Sequence, residues 1–276
     1  MKTFIRRPGN KSRYLKYILP HIPSSYNTYF EPFLGSGALF LRLQPDKWII
    51  NDVNNDIINT WTFVKSCPGE IIGKLNSFAE MFVDTDQTER ENICKLLLNK
   101  FDIIKNPEYR AVLFIILTFS IYGNTIIRRG KYYFAGLEKE LRNKGPVYFL
   151  SKRYFDLLNE VSRYLNHTNG KIYNQDYKKV MNKAKKGDFV FLDPPYIEAN
   201  IDYQFQYNIG EKLDNGFQTS FIEEVNKLNA KGVKFIITQP DTPTVRDMFR
   251  NYNISSYTVV RRHQQTRQEL VIKNFN

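Results

Sequence analysis

The stretch that most constrains this chain is Asp188-Phe189-Val190-Phe191-Leu192-Asp193-Pro194-Pro195-Tyr196. Val190, Phe191 and Leu192 form a short apolar, β-rich run, the pattern of a strand buried on both faces. Pro194 and Pro195 stop it, because neither can donate a ladder hydrogen bond and each fixes its own φ. A carboxylate, Asp193, therefore stands where a buried strand ends, with a rigid elbow and the ring of Tyr196 beside it. In open α/β sheets, ligands bind at the edge outside the carboxyl ends of the strands. Asp-Pro alone reads as a surface acid after a strand. The full Asp-Pro-Pro-Tyr run reads as an elbow that holds a carboxylate and a carbonyl toward one small planar group.

The rest of the chain supplies an α/β rhythm around that strand. Tyr29 to Leu41 reads as strand, Gly35-Ser36-Gly37 turn, then a helix opening at Ala38. Glycines there let a ligand approach the backbone, and a helix N-terminus favours nearby negative charge. The next strand, Trp48 to Asp52, ends in an acid. At that place an acid binds ribose hydroxyls in nucleotide-binding folds; the alternative is a cap for a helix from Asn55 onward. From Ile57 to about Pro146 the periodicity is helical, and Ala111 to Phe119 is apolar nearly all round, which predicts burial. The α/β pattern resumes with a helix through Phe155 and Leu165, a strand from Lys171 to Tyr177 and a lysine-rich helix from Lys178 to Lys186. Ile197 to Gly216 has no period and carries Tyr203, Phe205 and Tyr207. A helix ending at Gly232, a strand from Val233 to Thr238, a helix capped by Thr242, and strands Ser256 to Arg262 and Glu269 to Phe275 follow. The expected organisation is an α/β sheet domain over 1–56 and 147–276, interrupted by a helical insertion over 57–146.

Charge bears on the partner. The 276 residues carry a formal net charge of +12, which favours a polyanion. No Asp or Glu precedes Glu31, whereas Lys2, Arg6, Arg7, Lys11, Arg13 and Lys16 do. Other basic clusters are Arg128-Arg129 and Arg261-Arg262, with Arg267 close behind. With 18 Tyr and 21 Phe interleaved among them, these residues suit phosphate contact plus base stacking. The turn-rich, basic and aromatic segment Tyr122 to Gly136 combines all three properties. Cys67 and Cys94 are too few for a disulfide framework or a zinc site, so no metal is expected. No signal-peptide core and no run long enough to span a bilayer is present. The expectation is a cytoplasmic protein with no membrane partner.

Taken in order, Pro-Gly-Asn-Lys, Glu-Pro-Phe-Leu-Gly-Ser-Gly, an acid after the second strand, a helical insert and Asp-Pro-Pro-Tyr resemble the DNA adenine methylase family along essentially the whole chain. This is the α group of amino-methyltransferases. The resemblance implies a Rossmann-like, seven-stranded, mostly parallel sheet that binds S-adenosylmethionine, with 57–146 as the target-recognition insertion. It implies site-specific methylation of the 6-amino group of adenine in double-stranded DNA, often within GATC, by a monomer or weak homodimer, with or without a restriction partner. Carried over residue by residue, Phe33, Gly35 and Gly37 line the methionine and ribose side of the cofactor. Asp52 takes the ribose hydroxyls, Asp176 faces the cofactor's adenine, and Pro8, Gly9 and Lys11 occupy the amino-terminal cofactor motif. Pro8 departs from the small residue usual there. Asp193 also borders the cofactor.

The chemistry has its own logic. The amine of adenine is a poor nucleophile because its lone pair is delocalised into the ring. Hydrogen bonds from its two protons to the Asp193 carboxylate and the Pro194 carbonyl favour a pyramidal nitrogen, with Pro195 stiffening the elbow and Tyr196 stacking on the base. That geometry is out of reach inside a duplex, so the adenine must be flipped out. Candidates for DNA contact are Arg7, Tyr122, Asn124, Arg128, Arg129, Tyr203, Phe205, Tyr207, Arg262 and Arg267. Tyr122-Gly-Asn-Thr-Ile-Ile-Arg128 runs one residue out of register with the family's recognition patterns, so Arg128 or Arg129 takes the base-reading role. Competing readings are methylation of adenine in RNA and a catalytically silent nucleic-acid-binding module. Retention of both Asp52 and the Asp-Pro-Pro-Tyr run argues against a silent module.

Overall fold

The structure, a computed structural model, describes residues 1–124, 127–128, 131–142, 147–197, 215–260 and 266–276. Contacts group it into two compact units. One is built from Lys11–Leu34, Pro45–Val53 and Asn169–Asn276, the other from Met1–Asn10, Gly35–Gln44 and Asn54–Thr168.

The first unit holds a seven-stranded sheet. Its strands are β1 (Tyr29–Glu31), β2 (Lys47–Asn51), β3 (Asn169–Tyr173), β4 (Phe189–Leu192), β5 (Lys234–Pro240), β6 (Asn253–Val260) and β7 (Thr266–Lys273). They lie in the order β3-β2-β1-β4-β5-β7-β6. The first five run parallel, and β7 pairs antiparallel with both β5 and β6. All four residues of β4 are buried, as its apolar run predicts for a strand between two others. Its entry is held by Asp188, whose carboxylate accepts from the Thr28 N–H at 3.1 Å and the Lys185 N–H at 2.9 Å. Along one side, Phe30, Val190, Leu192, Phe235 and Leu270 pack with Phe221 and Val225. Phe221 is fully buried, a contribution of about 1.5–3 kcal/mol.

The helices, in chain order, are α1 (Leu15–Ile18), α2 (Ala38–Leu43), α3 (Asn55–Ser66), α4 (Pro68–Ala79), α5 (Gln87–Ile103), α6 (Pro107–Ser120), α7 (Lys139–Arg142), α8 (Lys152–His167), α9 (Tyr177–Met181), α10 (Asn215–Ala230) and α11 (Pro243–Met248). The second unit is organised around α6. Asn106 accepts from the Tyr109 N–H at 2.9 Å and Pro107 opens the helix, a favourable start for a segment with fixed φ. Every residue from Ala111 to Ser120 is buried, and α3, α4 and α5 pack against it. Arg110 forks onto Asp56 and donates to the Phe101 carbonyl at 2.7 Å. This unit takes in more chain than 57–146, because α8 packs on α3 and α4 and Phe40 packs on Trp61 at 5.8 Å.

Some boundaries differ from those the sequence predicts. The strand expected over Lys171 to Tyr177 is β3, which stops at Tyr173, and Asp176 instead caps α9 by accepting from the Lys178 N–H at 2.7 Å. The lysine-rich helix expected to reach Lys186 ends at Met181. The helix after β2 is capped by Asn54, which accepts from the Asp56 and Ile57 N–H groups at 2.9 and 3.2 Å. Asp52 is not that cap. No helix among the described residues is long and apolar enough to cross a membrane.

Gly170 of β3 lies opposite Trp48 of β2, and a Cβ added there would come within 1.9 Å of the indole ring. Trp48 is itself buried, so the ring has nowhere to retreat. Gly170→Ala is expected to lower unfolding free energy by about 1–3 kcal/mol, read as a lower urea midpoint at unchanged slope.

Candidate active site

The parallel register pairs Leu192 of β4 with Ile237 of β5. The next step along both strands brings Asp193 beside Thr238, whose hydroxyl donates to Asp193 Oδ1 at 2.7 Å. The same oxygen receives Lys11 Nζ at 2.7 Å. Oδ2 takes no hydrogen bond among the described residues, and the Asp193 side chain is 20% exposed. One carboxylate oxygen is thus anchored twice while the other is available.

The elbow that follows is stapled by Gln239, a fully buried residue at the end of β5. Its amide nitrogen donates to the Pro194 carbonyl at 3.3 Å, and its oxygen accepts from the Ile197 N–H at 3.1 Å. The long bond to Pro194 leaves one lone pair of that carbonyl for a further donor. Gln218 of α10 donates to the Ile197 carbonyl at 2.9 Å. Tyr196 is buried, donates from its hydroxyl to Glu269 Oε1 at 2.9 Å, and has the Arg267 guanidinium over its ring at 4.5 Å.

Lys11 begins a 3-10 turn, Lys11–Arg13, and is 5% exposed. Burial opposes its charge, but the Asp193 carboxylate, followed by Tyr196 and Glu269, outweighs that penalty and holds its pKa well above the usual 10.5. The ammonium is therefore charged through the neutral range. Burial likewise raises the pKa of Tyr257, with Lys11 opposing.

The other candidates fall as follows. Asp52 follows directly on β2, and its neighbour Asn51 bridges two segments, donating to the Pro32 and Gln175 carbonyls at 2.9 and 3.0 Å and accepting from the Gln175 N–H at 3.0 Å. Asn174 donates to the Asp52 carbonyl at 2.8 Å. These bonds hold the ends of β1, β2 and β3 in one place. Phe33 packs on Tyr177 at 5.1 Å, and Asp176 is exposed. In the other unit, Pro8 and Gly9 form a turn closed by the Asn10 N–H on the Arg7 carbonyl at 3.2 Å, with Gly9 at φ 78°. Gly35 and Gly37 also adopt left-handed φ, 50° and 63°, and a Cβ added to Gly35 would meet nothing within 4 Å.

Among the DNA candidates, Arg7 is buried, its guanidinium 5.8 Å from the Phe114 ring centroid, rather than presented to solvent. Tyr122 is 38% exposed. It stands at a neck closed by the Ile121–Leu137 bridge, by its own N–H on the Gly136 carbonyl at 2.8 Å and by Gly123 N–H on Glu138 Oε1 at 2.8 Å. Arg128 lies in a two-residue strand, Ile127–Arg128, paired antiparallel with Lys131–Tyr132. The side chains of Asn124 and Arg128, and Arg129, Tyr203, Phe205, Tyr207 and Arg262 altogether, lie outside the described residues. Thr238, Gln239 and Glu269 are members of this cluster that motif reading missed. The signal for Thr238 and Gln239 was polar residues near the end of an otherwise apolar strand, and for Glu269 a lone acid where a strand turns from polar to apolar residues.

A mostly parallel sheet of this order, with Asp-Pro-Pro-Tyr at the carboxyl end of its central strand, defines a Rossmann-like methyltransferase. Residues 8–263 match the family described as D12 class N6 adenine-specific DNA methyltransferase, and the chain belongs to that family. It is 27% identical over 266 residues to the type II methyltransferase M1.LlaDCHI of Lactococcus lactis subsp. cremoris, covering 95% of this chain and 89% of that protein. It is 26% identical over 257 residues to the DNA adenine methylase of Serratia marcescens, covering 91% and 87%. A solved precorrin 8w decarboxylase from Methanobacterium thermoautotrophicum aligns over all of both chains, at 10% identity and a TM-score of 0.39, too distant to add to the argument.

The Lys11–Asp193 pair gives a pH-dependent expectation. Because the folded pKa of Lys11 is raised, its contribution to stability is full below the usual 10.5 and is lost as pH rises through the folded value. Lys11→Met is expected to cost about 3–5 kcal/mol at neutral pH, since it strands a partly buried carboxylate. Urea melts at rising pH are expected to show that gap level up to about pH 10.5 and shrinking beyond it.

Proposed function

We propose that this DNA adenine methyltransferase uses S-adenosylmethionine as methyl donor and methylates a flipped-out adenine held by Asp193, Pro194 and Tyr196. The observation that carries the reading is the asymmetric Asp193 carboxylate, with Oδ1 fixed by Lys11 and Thr238 and Oδ2 left open. The cofactor, when bound, supplies an electrophilic methyl on a sulfonium. The acid directly after β2 suits the ribose hydroxyls of such a group. Phe33, Gly35, Gly37, Asp52 and Asp176, with Pro8, Gly9 and Lys11 of the amino-terminal motif, are the residues assigned to it.

Asp193 Oδ2 accepts a hydrogen bond from one amine N–H and the Pro194 carbonyl from the other, so the nitrogen lone pair turns out of the ring plane toward the methyl. Tyr196 supplies the stacking face. Lys11 and Thr238 keep the carboxylate from rotating, so the nitrogen meets the same acceptor geometry at each turnover. The 57–146 segment is assigned to target recognition, with Tyr122 and Asn124 beside Arg128 or Arg129 as base readers and GATC as the first sequence to test. Arg262, Arg267 and the Tyr203, Phe205 and Tyr207 segment are assigned to the DNA backbone and the extruded base.

Asp193→Asn keeps the volume and one acceptor oxygen but loses the charge. It is expected to lower kcat by about a hundredfold or more while the circular dichroism spectrum is retained. Labelled-methyl transfer to duplex DNA measures this, and near-normal turnover would remove Asp193 from the reaction. Asp52→Ala is expected to weaken S-adenosylmethionine binding by about 1.5–3 kcal/mol and leave DNA binding unchanged. Calorimetric titration decides it, and equal cofactor affinity in the variant counts against the ribose assignment.

A further inference from the structure

Tyr196 is held by more than its place in the Asp-Pro-Pro-Tyr elbow. Glu269 lies on β7, directly opposite Tyr257 of β6 and next to Pro240 of β5 in the antiparallel ladders. It is a carboxylate only 4% exposed, a position that is unfavourable for a charge unless its hydrogen bonds repay the loss of water. Its Oε1 takes the Tyr196 hydroxyl at 2.9 Å and lies 3.7 Å from the Arg267 guanidinium. Arg267, two residues earlier on the same face of β7, lies over the Tyr196 ring at 4.5 Å. Oε2 is buried and takes no hydrogen bond among the described residues, and neither does the buried Tyr257 hydroxyl across the ladder. Nothing about the strand itself calls for an acid here: Leu270, Val271 and Ile272 after it are all buried and apolar.

We infer that Glu269 is a positioning residue for methyl transfer, which fixes the place of the Tyr196 ring through its hydroxyl and, by tying Arg267 to one face of that ring, its tilt. The inference rests on the reading of Tyr196 as the stacking platform. A ring attached at Cβ and held again at Oη cannot swing sideways about its Cα–Cβ bond, and Arg267 against its face opposes rotation about the Cβ–Oη axis. Adenine then meets a surface of defined tilt, with its amine at a defined height above Asp193 Oδ2. Arg267 adds a cation–π contact to that ring.

A double-mutant cycle with genomic duplex DNA as substrate tests this without knowledge of the recognition sequence. Glu269→Ala is expected to lower kcat by about tenfold, the order for losing one hydrogen bond to a charged group, with KM for DNA nearly unchanged. Glu269→Gln keeps an oxygen that accepts from the hydroxyl and is expected to restore kcat to within about threefold of the wild type. In the Tyr196→Phe background, where the hydroxyl is gone, Glu269→Ala is expected to cost clearly less than it does in the wild type, only the release of Arg267 remaining. Equal losses from Glu269→Ala in both backgrounds, or a Gln variant as slow as the Ala variant, would overturn the inference. If Glu269→Ala does not fold, Tyr196→Phe alone decides, because it keeps the ring and removes only the anchor: normal kcat there overturns it. Tyr196→Ala separates the two levels. Wild-type turnover in that variant removes the stacking reading and this inference with it, whereas slow turnover with an additive cycle removes only the role of Glu269.

Discussion

A buried ammonium against a half-buried carboxylate is the interaction on which this site depends. Taking either charge from water alone costs several kcal/mol, so Lys11 and Asp193 are each tolerable only because the other is there. The pair joins the turn at Lys11 to the end of the central strand, two places far apart in sequence, and Thr238 makes the arrangement directional by loading the same oxygen. The Asp193 carboxylate is thereby held through one oxygen while the other takes no hydrogen bond among the described residues. A surface aspartate in the same motif would rotate freely and present its two oxygens interchangeably.

The sheet makes this possible through register. Parallel strands end in step, so the residues just beyond Leu192 and Ile237 meet side by side, and the end of β2 falls close to the ends of β1 and β3 through the bonds of Asn51. Polar residues placed one step past apolar strands therefore collect along a single edge. Gln239 turns a Pro-Pro stop into a defined elbow by gripping it on both sides, at Pro194 and at Ile197.

Much of this was legible in the amino-acid sequence. The burial of Val190 to Leu192, the helical character of α4 to α6 and the capping of α11 by Thr242 follow from local apolar periodicity and local hydrogen bonding, which sequence carries directly. What escaped was decided by tertiary neighbours. Lys11 reads as a solvated lysine because nothing near it in the chain announces Asp193. Asp176 looks like a strand end because Asn174 and Gln175 are compatible with a strand, yet their bonds to β2 turn the chain away. Glu269 is a single acid where β7 turns from polar to apolar residues, and only the return of β7 beside β5 shows what it meets. Arg7 carries the charge of a DNA contact but lies over an aromatic ring inside the helical unit.

The placement of β7 also sets an order of assembly. It lies between β5 and β6, yet it is synthesised after both. Until it arrives those two strands have no common partner, and β5 presents an open edge with its apolar residues unpaired on that side. Such an edge invites pairing with another chain. Arg267 and Glu269 enter with β7, so the closing of that edge and the tethering of Tyr196 are one event. A chain that has not yet inserted β7 has both that open edge and a Tyr196 hydroxyl without its Glu269 acceptor, so completion of the sheet and completion of the site coincide.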